Sequence, residues 1–125
     1  MKKDIGGRKD VEHLVQEFYE KVKKDEVIGD IFTEKAKVNW EAHLPRMYNF
    51  WENTLFYTGV YNGNLIQSHT ALNQKFPIEP QHFKRWIQLF TGTVDDLFEG
   101  EKAELAKQRA FSIATVLEIK LRGEM

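Results

Sequence analysis

Apolar residues recur at three-and-four spacing along nearly the whole sequence, and no stretch of useful length alternates with a period of two. That pattern confines the chain to an all-α fold. Val11, Leu14, Val15, Phe18, Tyr19 and Val22 trace one buried helix face, with Asp10 placed to cap it and Glu12, Glu17, Lys21 and Lys24 on a polar face. Gly29 interrupts the pattern, and Ile28, Ile31 and Phe32 form a short apolar patch in the turn that follows. Trp40, His43, Met47, Phe50, Trp51, Thr54 and Leu55 share related faces of a second helix. Pro45 lies inside this stretch, so the helix either begins near His43 or kinks at the proline.

Tyr61-Asn62-Gly63-Asn64 is the centre of a loop spanning 59–64. Leu65, Ile66, His69 and Leu72 then share one face of a short helix, and Phe76-Pro77 and Pro80 mark another loop. From Pro80, the positions Phe83, Trp86, Ile87, Phe90, Val94 and Leu97 give a strongly amphipathic helix that stops near Glu99-Gly100. A last helix from about Glu101 carries Ala106, Arg109, Ala110, Ile113, Ala114 and Leu117 on its expected inner side.

Bulk properties remove whole classes of function. A chain of 125 residues is the size of one domain, read here as 1–125. Its 18 Lys and Arg against 19 Asp and Glu leave a net charge of -1, without the basic excess that binds nucleic acid through its phosphates. With no cysteine, no disulfide framework, thiolate zinc site or Cys-held iron–sulfur cluster can form. No signal-peptide core follows Lys2 and Lys3, and no run approaches the roughly 20 apolar residues that span a bilayer, so cytoplasmic residence without a membrane partner is expected.

Aromatic residues make up 13% of the chain, which raises the question of a flat object held between rings, although aromatics also simply bury much area each. Without cysteine, cofactor chemistry must run through His, carboxylate or Tyr. His13 falls off the buried stripe, and His82 lies in the first turn of its helix beside Gln81 and Lys84; both read as surface. His69 lies on an apolar face, where an imidazole needs a partner at each nitrogen. Metal ligation meets that need, and so does hydrogen bonding within a protein core; position alone leaves both open. His43 stands one turn before Met47. Tyr19 and Trp86 each direct a polar hydrogen into an apolar stripe, where it needs a partner.

These pieces in order resemble the truncated haemoglobins, specifically group III. The resemblance runs over nearly the whole chain. It is carried by Phe18-Tyr19-Glu20-Lys21-Val22, Ile31-Phe32, Trp40-x-x-His43 and Asn49-Phe50-Trp51, then by Tyr61-Asn62-Gly63 ahead of His69, Phe76-Pro77, Trp86 ahead of Phe90, and Gln108-Arg109-Ala110. It implies a helical sandwich of antiparallel helix pairs enclosing haem b (iron protoporphyrin IX), with His69 as the proximal iron ligand. It places Tyr19, His43 and Trp86 on the distal side, and Phe32, Met47, Phe50 and Trp51 on or near the macrocycle. Phe76, Phe83, Phe90 and Ile113 become neighbours, while Arg46, with Tyr61 as a second candidate, pairs a propionate. Pro45, inside the helix that carries His43, is a departure from the family's pattern.

The function so implied is binding of dioxygen and related diatomics by a monomer or weak dimer. Hydrogen bonds from Tyr19 and Trp86 to a charged ligand, each worth roughly 1.5–3 kcal/mol, would slow its escape about tenfold to hundredfold. An enzyme follows if the protein turns over nitric oxide or peroxide. No reductase sequence is present, so turnover needs an external electron donor. A store or sensor is the non-enzymatic form of the same reading, and a haem-free helical interaction module is the alternative.

Overall fold

The computed structural model describes residues 2–35, 39–58 and 78–122, with the side chains of 34, 35, 121 and 122 left aside. The described residues hold four α-helices: α1 (Arg8–Lys24), α2 (Trp40–Phe56), α3 (Pro80–Leu97) and α4 (Glu101–Arg122). A five-residue π-helical stretch, Ile31–Lys35, lies between α1 and α2. No strand occurs among the described residues. The all-α expectation holds.

α1 packs against both α2 and α3, and α4 packs against α3 and α2, so α1 and α4 cover the other two helices. The expected stripe of α1, Val11 through Val22, is fully buried and forms one core with Trp51, Leu55, Phe90, Val94 and the alanine face of α4 at Ala103, Ala106 and Ala110. A smaller cluster of Phe83, Ala114 and Leu117 lies farther along α3 and α4, with Trp86 and Ile113 packed against it. Such contiguous apolar burial is the main favourable term in holding a helical domain together.

Several local expectations are corrected. α1 begins at Arg8 with Gly7 as its N-cap, so Asp10 sits inside the first turn rather than at the cap. From there its carboxylate accepts from the Gly6 N–H at 2.8 Å and pairs with Lys3. Of the apolar patch around Gly29, Ile28 lies in a turn as expected, while Ile31 and Phe32 are helical. α2 starts at Trp40, earlier than His43, because Asn39 caps it by accepting from the Glu41 N–H at 3.1 Å; the helix runs on through Pro45. Pro80 opens α3 as its first residue, where a missing N–H costs nothing. Arg109, expected on the inner side of α4, is exposed, the inward positions going to Ala106, Ala110 and Leu117. The 59–64 loop, the short helix of His69 and the loop at Phe76-Pro77 lie outside the described residues.

Two corners position these helices. After α1, Asp25 accepts from the Val27 and Ile28 N–H groups at 3.0 Å each and binds Arg85 of α3 at 2.7 Å. Burial alone would raise the Asp25 carboxyl; Arg85 and the two backbone donors outweigh it and hold it below the usual carboxylate range. Next to this corner, a Cβ at Gly29 would stand 3.0 Å from the Val22 carbonyl oxygen and 3.1 Å from that of Lys23. The backbone ahead of Phe32 therefore presses directly on the end of α1.

The second corner precedes α1. Asp4 receives the N–H groups of Lys102 and Ala103, each at 2.9 Å, capping the orphan donors of α4, and Ile5 is buried in the core. The Glu99 N–H donates to the Lys3 carbonyl at 2.9 Å. Gly100 closes the junction with φ of 142°, and a Cβ there would lie 2.5 Å from Asp4 Cγ.

Candidate functional site

α1 carries Tyr19 inward one position after Phe18, and α2 brings His43 to meet it. The Tyr19 hydroxyl and His43 Nε2 are 3.2 Å apart, with ring centroids 5.2 Å apart and planes at 79°. Tyr19 is 6% exposed. Burial pushes its phenol well above the usual range, so the hydroxyl keeps its proton. One proton occupies the Tyr19–His43 contact, and the imidazole tautomer decides its donor. With hydrogen on Nε2, His43 donates to Tyr19 and leaves the phenol O–H to donate elsewhere; with hydrogen on Nδ1, the phenol donates to Nε2.

Around that pair lies an aromatic layer. Phe32 and Trp40 stack at 6.2 Å and 24°, Tyr19 meets Trp40 at 5.3 Å, and Trp40 meets His43 edge-on at 5.7 Å. The Lys23 ammonium sits 4.7 Å above the Trp40 ring and is itself paired with Glu20 at 3.1 Å. The sequence sets Trp40 on the helix face of His43, and its i, i+3 spacing to His43 is the signal that the two rings meet.

A second layer runs inward from Trp86. Its ring lies 5.7 Å from Phe90 at 10°, Phe90 stacks on Trp51 at 4.6 Å and 17°, and Phe18 crosses Trp86 edge-on at 5.7 Å. Phe90 is wholly enclosed and Trp51 nearly so; they back the Trp86 ring rather than present a face. Trp86 is half-buried and makes no hydrogen bond among the described residues.

The remaining expected residues divide as follows. Met47 and Phe83 are buried, Phe32, Phe50 and Ile113 half-buried, and Arg46 is exposed on α2. Phe83, Trp86 and Ile113 come together in the smaller cluster, while Tyr19, Phe32, Met47, Phe50, Trp51 and Phe90 belong to the main core or line it. His69, Tyr61 and Phe76 lie outside the described residues. His13 is exposed as expected. His82 is half-buried rather than on the surface: its Nδ1 accepts from the Glu79 N–H at 2.8 Å, completing a reciprocal cap at the start of α3.

The sequence matches the family model described as bacterial-like globin over residues 3–117. A group 3 truncated hemoglobin of Campylobacter jejuni is 30% identical over 118 residues, which make up 92% of this chain and 91% of the relative.

The chain belongs to the bacterial-like globins.

Within them it is a truncated haemoglobin of group III. The solved group III truncated hemoglobin from Campylobacter jejuni superposes on this globin with a TM-score of 0.83 at 29% identity, covering 97% of this chain and 95% of that one. The helical sandwich expected for the family is therefore the fold. Membership implies haem and a diatomic gas such as oxygen as its ligand.

The described residues fit such a group. A tetrapyrrole needs apolar, largely aromatic walls, and a polar ligand at its metal needs N–H or O–H donors in a dry setting. This globin supplies Phe32, Phe50, Met47 and Trp86 as walls and the Tyr19 hydroxyl, His43 ring and Trp86 indole as polar groups among them. Elsewhere among the described residues, no cluster of His, Asp and Glu could hold a metal ion by itself, and no helix is long and apolar enough to cross a membrane.

Proposed function

We propose that this globin binds haem b through His69 and takes dioxygen or a related diatomic on the side occupied by Tyr19, His43 and Trp86. When bound, haem supplies an open metal coordination position for a small gas molecule. The chain's residues determine how long such a ligand stays and what reaches it. Tyr19 offers a hydroxyl that burial keeps protonated; with hydrogen on His43 Nε2 the 3.2 Å contact leaves that O–H for the ligand, and the other tautomer turns it to the imidazole. The Trp86 indole N–H adds a second donor, held by Phe18 and Phe90. Phe32, Met47, Phe50 and Phe83 exclude water, with Ile113 beside Phe83 and Trp51 and Phe90 behind; Phe76 would add to these walls. Arg46, exposed on α2, and Tyr61 would pair propionates at the solvent edge.

The single observation that carries this reading is the Tyr19–His43 pair, two polar groups bonded to each other inside an otherwise aromatic layer. Donors preorganised in a low-dielectric site are stronger than in water, which favours slow release over bulk delivery. That suits detoxification of nitric oxide or peroxide, with electrons from an external donor, in a cytoplasmic monomer or weak dimer.

Protein purified with haem available should show an intense Soret band, lost in His69→Gly and kept in His13→Ala. Haem retained normally by His69→Gly would remove His69 as the ligand; no Soret band in the wild type would return the chain to the haem-free alternative. Rapid nitric oxide consumption by the reduced, oxygenated protein, sustained by an added reductant, would favour turnover over storage.

A further inference from the structure

We infer that Tyr19 and Trp40 form an electron relay by which this globin passes oxidising equivalents from its haem site to a reductant at the surface. The inference rests on the haem-binding reading above. Three observations carry it. The Tyr19 phenol is buried with an imidazole nitrogen at 3.2 Å, which is the arrangement phenol oxidation requires. A phenol that loses an electron becomes a strong acid, so in an apolar interior it gives up the electron readily only if a base takes the proton at once. The Trp40 ring stands 5.3 Å from that of Tyr19, and Trp40 is half-buried at the start of α2 where Tyr19 is enclosed. Trp40 thus connects the buried phenol with the solvent side of the layer.

The third observation is the cation. The Lys23 ammonium, 4.7 Å above the Trp40 ring, opposes positive charge on the indole, and its pairing with Glu20 only partly offsets this. Trp40 therefore cannot hold a radical cation for long; it must release its N–H proton and be refilled quickly, while the radical rests mainly on Tyr19. The arrangement favours a conduit through Trp40 over a terminus there.

The oxidant is hydrogen peroxide and the reductant a small phenol. Peroxide cleaves its O–O bond, takes two electrons and two protons, and leaves as two waters. Each electron comes from Tyr19, whose phenolic proton moves to His43 Nε2, in the tautomer with hydrogen on Nδ1. An electron from Trp40 and the proton returned by His43 restore the phenol, and the indole proton goes to solvent. One phenol molecule, losing an electron and a proton, then restores Trp40. Over the cycle, two phenols are oxidised to phenoxyl radicals for each peroxide reduced.

The test treats haem-loaded protein with hydrogen peroxide, freezes it at short times, and assigns the protein radical by electron paramagnetic resonance with ring-deuterated tyrosine or tryptophan. Guaiacol oxidation is followed in parallel. The wild type is expected to show a predominantly tyrosyl signal with a minor tryptophan component. Trp40→Phe keeps an aromatic ring against Phe32; it should lose the tryptophan component, prolong the tyrosyl signal and slow guaiacol oxidation roughly tenfold. Tyr19→Phe should abolish the main signal, and Lys23→Met should enlarge the tryptophan share. A normal Soret band with a radical signal and guaiacol rate unchanged in Trp40→Phe overturns the relay and leaves haem binding intact. Absence of the Soret band in the wild type overturns both.

Discussion

Tyr19 is the residue on which most of the site's behaviour depends, and its surroundings separate two roles. Its ring packs against Phe18 at 4.8 Å and Trp40 at 5.3 Å, so Tyr19→Phe keeps the packing and removes only the hydroxyl. Oxygen dissociation measured by stopped flow should accelerate about tenfold to hundredfold in that variant, the range expected for losing a hydrogen bond to a charged acceptor. Trp86→Phe should accelerate it in the same direction. Rates unchanged in both would remove these donors from the ligand's environment. Gly29 provides a residue-scale test of the scaffold. Since its Cβ would meet two carbonyl oxygens at 3.0 and 3.1 Å, Gly29→Ala must part the backbone from the end of α1 and should cost roughly 1–3 kcal/mol in urea denaturation. The closeness of Tyr19 and His43 was not legible from the chain, because they are 24 positions apart and only tertiary packing joins them. What could be read was the need: a phenol on a buried stripe requires a partner.

At the scale of elements, α1 and α3 were legible because their apolar faces repeat without interruption. α2 was harder. Pro45 suggests a helix start or a kink, yet Asn39 caps the start, and the proline is carried in the second turn. A cap is a single side chain with no periodic signal behind it, so a strong breaker nearby masks it. The start of α4 shows the converse, since its cap is a residue almost the length of the chain away. Asp4 holds the Lys102 and Ala103 N–H groups across sequence separations of 98 and 99. Asp4→Ala should lower stability by about 1–2 kcal/mol in chemical denaturation, the usual size of a lost cap. Gly100→Ala should destabilise as well, because φ of 142° is unfavourable for a side chain and the new Cβ would collide with Asp4. If both variants unfold at the wild-type denaturant midpoint, this junction contributes nothing to the fold.

For the whole molecule, acid response follows from three partly buried carboxylates, since Asp96, lowered by Lys21, is exposed and screened by solvent. Burial alone would raise Asp4, Asp10 and Asp25, yet in each it is outweighed: by backbone N–H groups at Asp4, by Lys3 and the Gly6 N–H at Asp10, and by Arg85 and backbone N–H groups at Asp25. A carboxyl depressed in the folded state stabilises fully above its ordinary value of 3.8, and loses that contribution as pH falls through its lower folded value. Stability in urea should therefore hold from neutral pH to near 3.8 and decline below it, and Asp25→Asn should flatten that decline while lowering the plateau. The all-helical architecture was legible throughout because periodicity is a global signal, whereas His69 stood out only through its place in the family's ordered series. The same junction before α1 also bears on how the chain acquires its shape. Lys3 and Asp4 dock on backbone made almost a hundred residues later, so during synthesis they must wait until most of the chain has left the ribosome. Closure of this segment is a late event in folding, and a globin arrested in translation before Gly100 would carry Ile5 without the residues that hold its neighbours in place.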